Sequence, residues 1–186
     1  MSNRKKQFMI GLTGLNGSGK GVVADYLVSR KGFTYYSLSD AVREEVVKHH
    51  QDITRERLIE TANNLRRMHG PAVLAQRILE KINKSLDDMV IDSFRNPEEV
   101  RAFKAIPGFT LWCIHANQAL RFERIKKRHR EQDPQVFEEF VRIENAELSS
   151  NDVNRQNLMA CIRLADQTIA NEGSRAELYQ EIDSQF

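Results

Sequence analysis

Gly11-Leu12-Thr13-Gly14-Leu15-Asn16-Gly17-Ser18-Gly19-Lys20-Gly21 decides how the rest of this 186-residue chain is read. The apolar run Phe8-Met9-Ile10 precedes it, and Val22-Val23-Ala24-Asp25-Tyr26-Leu27-Val28 follows with the pattern of a helix. Gly14, four residues, then Gly19-Lys20 is the spacing of a phosphate-binding loop that joins a strand to a helix. Glycine lets such a backbone take positive φ and approach a polyphosphate closely. The loop amides then turn inward, and the start of the following helix adds partial positive charge. Lys20 is placed to reach the β- and γ-phosphates as a point charge. A glycine-rich turn before a surface helix shares this composition, but the flanking strand and helix are the context the phosphate motif requires. The loop pattern also asks for Ser or Thr after the lysine, to hold magnesium, and Gly21 stands there instead.

Composition sets the bounds. Apolar residues make up 40% and charged residues 29%, with a net charge of +2. These are ordinary values for a globular α/β chain with a proper core, and one domain over residues 1–186 is expected. The charge is too small for a dedicated nucleic-acid binder. Cys113 and Cys161 are far apart and lack ligand spacing, which suggests buried thiols in a reducing compartment. The basic start, Met1 to Gln7, leads into no signal-length apolar segment, and no run is long enough to span a bilayer. A cytoplasmic enzyme is the default expectation.

Outward from the loop, Arg30-Lys31-Gly32 closes the first helix. Phe33–Ser37 has strand composition, and Ser39 or Asp40 is placed to cap a helix through Val47. Thr54 caps a second helix whose apolar positions, Leu58, Ile59, Ala62, Leu65 and Met68, recur at helical spacing. A third helix spans Ala72–Lys84, with Pro71 at its start. Strands follow at 87–92 and 109–114, separated by a helix opening at Asn96-Pro97. Helices are expected from Gln118 to Arg130 and from Gln135 to Leu148, then a short helix through Leu158 and Ile162. A strand at 167–171 and a helix at 176–179 complete the chain. Short apolar strands alternating with helices predict a parallel five-stranded sheet covered on both faces. Gly14, Ser39-Asp40, Asp92, His115 and Asn171 each follow a strand, so they are expected on one rim.

Three groups on that rim carry chemistry. Asp92 ends a strand, where an acid organises magnesium in phosphate-loop enzymes; capping the next helix is its structural alternative. Arg43, near Asp40, and Arg95, near Asp92, are guanidinium forks suited to a phosphate, although Arg43 also fits a salt bridge along its own helix. Arg66 and Arg67 are equally well explained by a solvated helix face. Arg121, Arg124 and Arg128 share one helix face and want an anion, whether a triphosphate or RNA. The five histidines show no ligand spacing.

With these residues assembled, the chain resembles the P-loop nucleoside monophosphate kinases, in the neighbourhood of adenylate kinase and dephospho-coenzyme A kinase. Gly14–Gly21 resembles the adenylate kinase loop, which also places Gly directly after its lysine. Ser37–Arg43 is similar to the start of the acceptor-binding region, and Ile91-Asp92-Ser93-Phe94-Arg95 to the strand end that carries a magnesium-organising acid and an acceptor arginine. Arg121, Arg124, Arg128 and Arg130 resemble the lid arginines. Ala165–Gly173 looks like the segment beside the adenine in dephospho-coenzyme A kinases. The whole is similar to uncharacterised archaeal nucleotide kinases and to the kinase-like domain before some deoxycytidylate deaminases. The chain departs from adenylate kinases at Val22, where they have Thr, and in lacking their Pro before Arg95.

The resemblance implies a three-layer P-loop NTPase fold with a helical acceptor-binding region at about 40–85 and a lid-like region at about 117–148. It implies ATP with Mg2+ as cofactors and a small nucleotide-type acceptor. ATP is then expected on Gly14, Asn16, Gly17, Ser18, Gly19, Lys20, Gly21, Val22, Arg124, Asn171 and Gly173. The acceptor falls to Asp40, Arg43 and Arg95, the metal to Asp92, and catalysis to Lys20, Asp40, Asp92 and Arg128. A catalytically weak nucleotide-binding regulatory module and an RNA-associated ATPase are the alternatives.

Overall fold

The computed structural model describes residues 7–82, 87–128 and 133–186. Its strands are β1 (Met9–Thr13), β2 (Thr34–Ser37), β3 (Met89–Asp92), β4 (Phe109–His115) and β5 (Gln167–Ala170). They form a five-stranded sheet in the order β2-β3-β1-β4-β5, and every adjacent pair is parallel. The helices are α1 (Lys20–Lys31), α2 (Leu38–Lys48), α3 (Arg55–His69), α4 (Val73–Ile82), α5 (Pro97–Lys104), α6 (Gln118–Arg128), α7 (Phe137–Leu148), α8 (Leu158–Arg163) and α9 (Arg175–Asp183). The chain winds from β1 outward to β2, returns to β3, then crosses β1 to reach β4. That reversal beside β1 puts the β1–α1 loop at a topological switch point, where ligands bind in such sheets.

Alternation along the strands divides the core in two. Ile10, Leu12, Val90, Trp112 and Ile114 pack with Val23 and Leu27 of α1 and with Leu178 and Ile182 of α9. Met9, Met89, Ile91 and Leu111 face the other way, into a larger cluster with α2, α3, α4 and α5. Gly11 belongs to this second face because a Cβ there would lie 2.6 Å from the Phe109 ring. Successive side chains on a strand point to opposite faces, so a sheet buried on both sides reads as continuous apolar runs.

Several boundaries move from their expected places, each for a local reason. α2 begins at Leu38, because Ser37 accepts a hydrogen bond from the Ser39 amide and is itself the cap. Strand β2 therefore passes into α2 without a loop, and Ser39 and Asp40 lie inside the first turn. α4 starts at Val73 after a turn at Gly70, where the Val73 amide donates to the Gly70 carbonyl. Its expected end, Lys84, lies outside the described residues, as does Arg130 at the expected end of α6. α7 starts at Phe137. α9 runs longer than expected, opened by a capping box in which Ser174 and Glu177 satisfy each other's amides. Thr54 caps α3 as its sequence predicts. No helix among the described residues is long and apolar enough to cross a membrane.

The least expected feature of the interior is ionic. Arg66 of α3 does not face solvent: it is 1% exposed and meets Glu99 of α5, which is 0% exposed. Its Nε and Nη2 both donate to Glu99 Oε1, at 3.0 and 2.8 Å. Glu99 Oε2 accepts from the amides of Arg95 and Asn96, closing the α5 capping box. One carboxylate thus fixes α3 to the turn that carries Arg95. Removing a single partner leaves a buried charge uncompensated, at a cost of about 3–5 kcal/mol. Arg66→Met is accordingly expected to lower unfolding free energy by about 3 kcal/mol, read from the urea midpoint at pH 7. A loss below about 1 kcal/mol would mean that the pair is not an anchor.

Candidate functional site

The loop leaves β1 at Thr13 and enters α1 at Lys20, held in shape from outside. Gly17 has φ +80°, and a Cβ there would stand 2.6 Å from the Arg121 carbonyl oxygen. Gly19 has φ +100°, and its Cβ would meet the Asn171 side chain at 2.1 Å. Both positions therefore exclude other residues by conformation and by space. Gly19 is also the N-cap of α1 and makes no side-chain cap bond, so no side chain competes for the first amides of that helix. Ser18 is buried, and its Oγ has no hydrogen-bond partner. A Cβ at Gly21 would meet nothing within 4 Å, so space does not exclude a hydroxyl there. Val22 is partly buried against the cluster of α1 and α9 and also lines the cleft.

Lys20 folds back over the loop. Its Nζ donates to the carbonyls of Gly14 at 2.8 Å and Leu15 at 3.2 Å. Desolvation lowers its pKa from 10.5 to about 8; Asp92 opposes that shift, and Arg95 adds to it. The unfolded chain holds this proton up to the ordinary value. The penalty is therefore constant below about pH 8, and Lys20 adds stability as pH rises from there toward 10.5. A phosphate beside Nζ would restore the proton.

The strand ends next to the loop carry hydroxyls and charges. Asp92 closes β3 half-buried and accepts a hydrogen bond from the Ser93 amide. Ser93 itself has φ +73°, a left-handed conformation that costs a side-chain-bearing residue about 1–2 kcal/mol. Its Oγ accepts from Ser37 Oγ at 3.1 Å, and Ser37 Oγ also lies 3.0 Å from Ser39 Oγ. Arg43 joins this chain of hydroxyls by donating to Ser39 Oγ at 2.7 Å and to Asp40 Oδ1 at 3.0 Å. Asp40, half-exposed, is not part of the cleft lining, whereas Ser39 and Arg43 are. The Asp40 carboxylate is turned to Arg43 and orients that guanidinium. His115 ends β4 on the rim, 3.8 Å from Glu172, and also lies outside the cleft lining. For magnesium the donor set is Asp92, one carboxylate beside Lys20. Mg2+ is commonly held by one or two carboxylates together with phosphates and waters, so the residues fit it.

The far side of the loop is built by α6 and the segment after β5. Asn171 donates from Nδ2 to the Ser18 carbonyl at 2.8 Å and accepts from Arg124 Nη2 at 3.4 Å. Arg124 Nη1 is buried with no hydrogen-bond partner, and burial lowers the residue's pKa against the pull of Glu172. Arg128 chelates Asp133 through Nε and Nη2 and reaches Asn16 Oδ1 at 3.4 Å. Arg121 parts company with them. It is 3% exposed, ion-paired to Glu144 of α7, and donates to the Asn16 carbonyl at 3.1 Å. It is a brace for the loop and offers no face to RNA. Gly173 lines the cleft, and a Cβ there would strike Glu177 Oε2 at 2.3 Å.

Many of these groups line one cleft of about 1190 Å³. It runs from Gly17, Lys20 and Gly21 past Asp92 to Arg43 and Arg95, with Arg124, Arg128 and Asn171 along its other side. Beyond the strand ends its wall turns aliphatic, with Leu38, Val42, Leu58, Ile59, Ala62 and Leu74. Sequence reasoning missed Glu99, Glu144 and Glu147, the carboxylates that hold Arg66, Arg121 and Arg95. Only Glu99 announced itself, through the Asn96-x-x-Glu99 capping box. The other two read as ordinary solvent-facing positions on α7.

Comparison with known proteins agrees with this architecture. A family model described as an AAA domain matches residues 10–149. A UPF0200 protein of Staphylothermus marinus is 33% identical over 175 residues, spanning 94% of this chain and 89% of that one. A UPF0200 protein of Methanothermobacter thermautotrophicus is 35% identical over 167 residues, spanning 89% and 82%. Among solved structures, a shikimate kinase from Acinetobacter baumannii superposes with a TM-score of 0.59 at 15% identity, covering 96% of this chain and 92% of its own. A gluconokinase from Sinorhizobium meliloti gives 0.54 at 15% identity, covering 96% and 90%. At such identities the likeness is one of fold, and the fold is that of P-loop kinases. With a third of its residues shared along nearly its whole length, the chain belongs to the UPF0200 family and, over residues 10–149, to the AAA domain family.

Proposed function

We propose that this protein transfers the γ-phosphoryl group of ATP to a small nucleotide-type acceptor, a nucleoside monophosphate or a dephospho-coenzyme A-like molecule. One observation carries the reading: a single cleft joins the loop and Lys20 to the guanidiniums of Arg43 and Arg95. A binder of triphosphate alone has no use for the second half. In this reading the loop amides from Gly14 to Val22 and Lys20 hold the β- and γ-phosphates. Asn171 and Gly173 border the rest of the donor, and Arg124 and Arg128 close over its phosphates. The buried, unpartnered Nη1 of Arg124 is the group most in need of an anion. Asp92 would hold magnesium, which would supply charge neutralisation to the donor phosphates.

The acceptor lies against the aliphatic wall with its anionic end toward Arg43 and Arg95, and Asp40 steadies Arg43. An acceptor oxygen attacks the γ-phosphorus in line, the bond to the β–γ bridging oxygen breaks, and ADP leaves. A phosphate acceptor is already ionised and needs no base; the hydroxyl of a dephospho-coenzyme A-like acceptor gives up its proton, and Asp40, beside Arg43, is the carboxylate we assign to take it. Positioning and charge neutralisation then supply the catalysis. The regulatory-module reading draws support from Gly21, which offers no metal ligand although a hydroxyl would fit. Acceptor-dependent ADP formation separates the two.

Two outcomes test the assignment. Lys20→Ala is expected to lower ATP consumption, assayed with a panel of nucleoside monophosphates and dephospho-coenzyme A, by about two to three orders of magnitude. Turnover equal to the parent would end the proposal. Binding of a non-hydrolysable ATP analogue should take up a proton above about pH 8, where free Lys20 loses its charge. Calorimetry at pH 8.5 in two buffers of different ionisation enthalpy reads that uptake. It should vanish in Lys20→Met, and equal heats in both buffers for the parent would contradict it.

A further inference from the structure

A directed chain of hydrogen bonds runs across the ends of β2 and β3. Arg43 Nη1 donates to Ser39 Oγ at 2.7 Å. Ser39 Oγ lies 3.0 Å from Ser37 Oγ, in a pair where either hydroxyl has the geometry to donate. Ser37 Oγ donates to Ser93 Oγ at 3.1 Å. A hydroxyl carries one hydrogen. Ser37 uses its own on Ser93, so Ser39 is the donor to Ser37. The hydrogen left over belongs to Ser93, which lines the cleft together with Asp92 and Arg95. Because the chain starts at a cation, each bond polarises the next, and the last hydroxyl donates more strongly than an isolated serine.

Two features separate Ser93 from a simple tie between strands. Its φ of +73° is a conformation that suits glycine. Among the described residues only His50 is also a non-glycine with positive φ, and it lies on the exposed turn after α2. Backbone strain of this kind persists where the surroundings over-determine it, and it collects at ligand clamps. Moreover, the segment is held without the Ser93 hydroxyl. The β2–β3 ladder already runs from Thr34–Met89 to Ser37–Asp92. Asp92 Oδ1 accepts from the Ser93 amide, Phe94 is buried in the core, and the Arg95 and Asn96 amides donate to Glu99 Oε2.

We propose that Ser93 Oγ donates a hydrogen bond to a phosphate oxygen of the acceptor, and that the chain from Arg43 through Ser39 and Ser37 fixes the direction of that donation. The inference rests on the phosphoryl-transfer reading. It adds Ser93 as a substrate contact, with Ser39 and Ser37 as positioning residues behind it. An ionised oxygen is the partner that gains most from such a donor. Arg43 then serves the acceptor twice, through its own guanidinium and through the hydroxyl at the far end of the chain.

Ser93→Gly and Ser93→Ala both remove the hydroxyl, but only glycine relieves the backbone. Methyl phosphate is titrated calorimetrically into the full chain, saturated with a non-hydrolysable ATP analogue and Mg2+, and the urea midpoint is read for each variant. Both variants are expected to bind methyl phosphate about tenfold more weakly than the parent. The midpoint of Ser93→Gly should stand above that of Ser93→Ala, and affinity for the ATP analogue should not change. A loss in Ser93→Ala that Ser93→Gly restores would assign the effect to strain and overturn the proposal. Equal affinity in the parent and both variants, or no binding of methyl phosphate by the parent, would overturn it too. So would a loss confined to the ATP analogue, which would put the hydroxyl on the donor. The titration involves no turnover. If both variants show the loss and the parent forms no ADP with any acceptor, the contact stands and the phosphoryl-transfer reading falls.

Discussion

The structure depends on how the loop between β1 and α1 is held. Backbone donors and an ammonium crowded into one turn repel each other unless neighbouring groups fix them. Here they are held by bonds that the loop accepts from outside. Asn171 donates to the Ser18 carbonyl, Arg121 donates to the Asn16 carbonyl, and Lys20 itself donates to Gly14 and Leu15. Each anchor takes a carbonyl and leaves amides for a ligand. Burial then drops the Lys20 pKa to about 8, so the unliganded loop is close to shedding its charge. The protein stores there a penalty that an anion would relieve.

Helix α7 extends that constraint across the cleft. Glu144 grips Arg121, and through it the donor loop, while Glu147, one turn on, grips Arg55 and Arg95. Glu99 repeats the device on the other side: it receives Arg66 from α3 and the amides that lead into α5. Buried or half-buried carboxylates thus position the arginines. A guanidinium left free in solvent would sample many rotamers; one held by a carboxylate is pre-oriented for an incoming phosphate.

The fold was legible because its signals are local. The Gly14–Lys20 spacing, the five apolar runs, and the caps at Thr54 and Asn96 each depend on neighbours in sequence, and the parallel sheet follows from their order. The candidate site was legible where it follows a strand and along one face of α6: Lys20, Asp92, Arg43, Arg95 and Asn171 share the cleft with Arg124 and Arg128. Long-range pairing hid the rest. Arg66 reads as a solvent-facing charge and Arg121 as an anion contact, and both are interior, because partners 33 and 23 residues away neutralise them. Asp40 follows a strand as expected, inside the first turn that Ser37 caps, and its carboxylate accepts from Arg43. Val22, which departs from the adenylate kinase pattern, is partly buried against the α1 and α9 cluster and also lines the cleft.

On our proposal the Gly14–Val22 amides form a seat for a triphosphate. Backbone hydrogen exchange with and without Mg2+ and a non-hydrolysable ATP analogue tests it most directly. The account predicts that exchange slows by about tenfold or more at residues 14–22, with a smaller effect around Arg124 and Asn171. Unchanged exchange across the loop at saturating analogue, or protection confined to the aliphatic wall of α2 and α3, would contradict it.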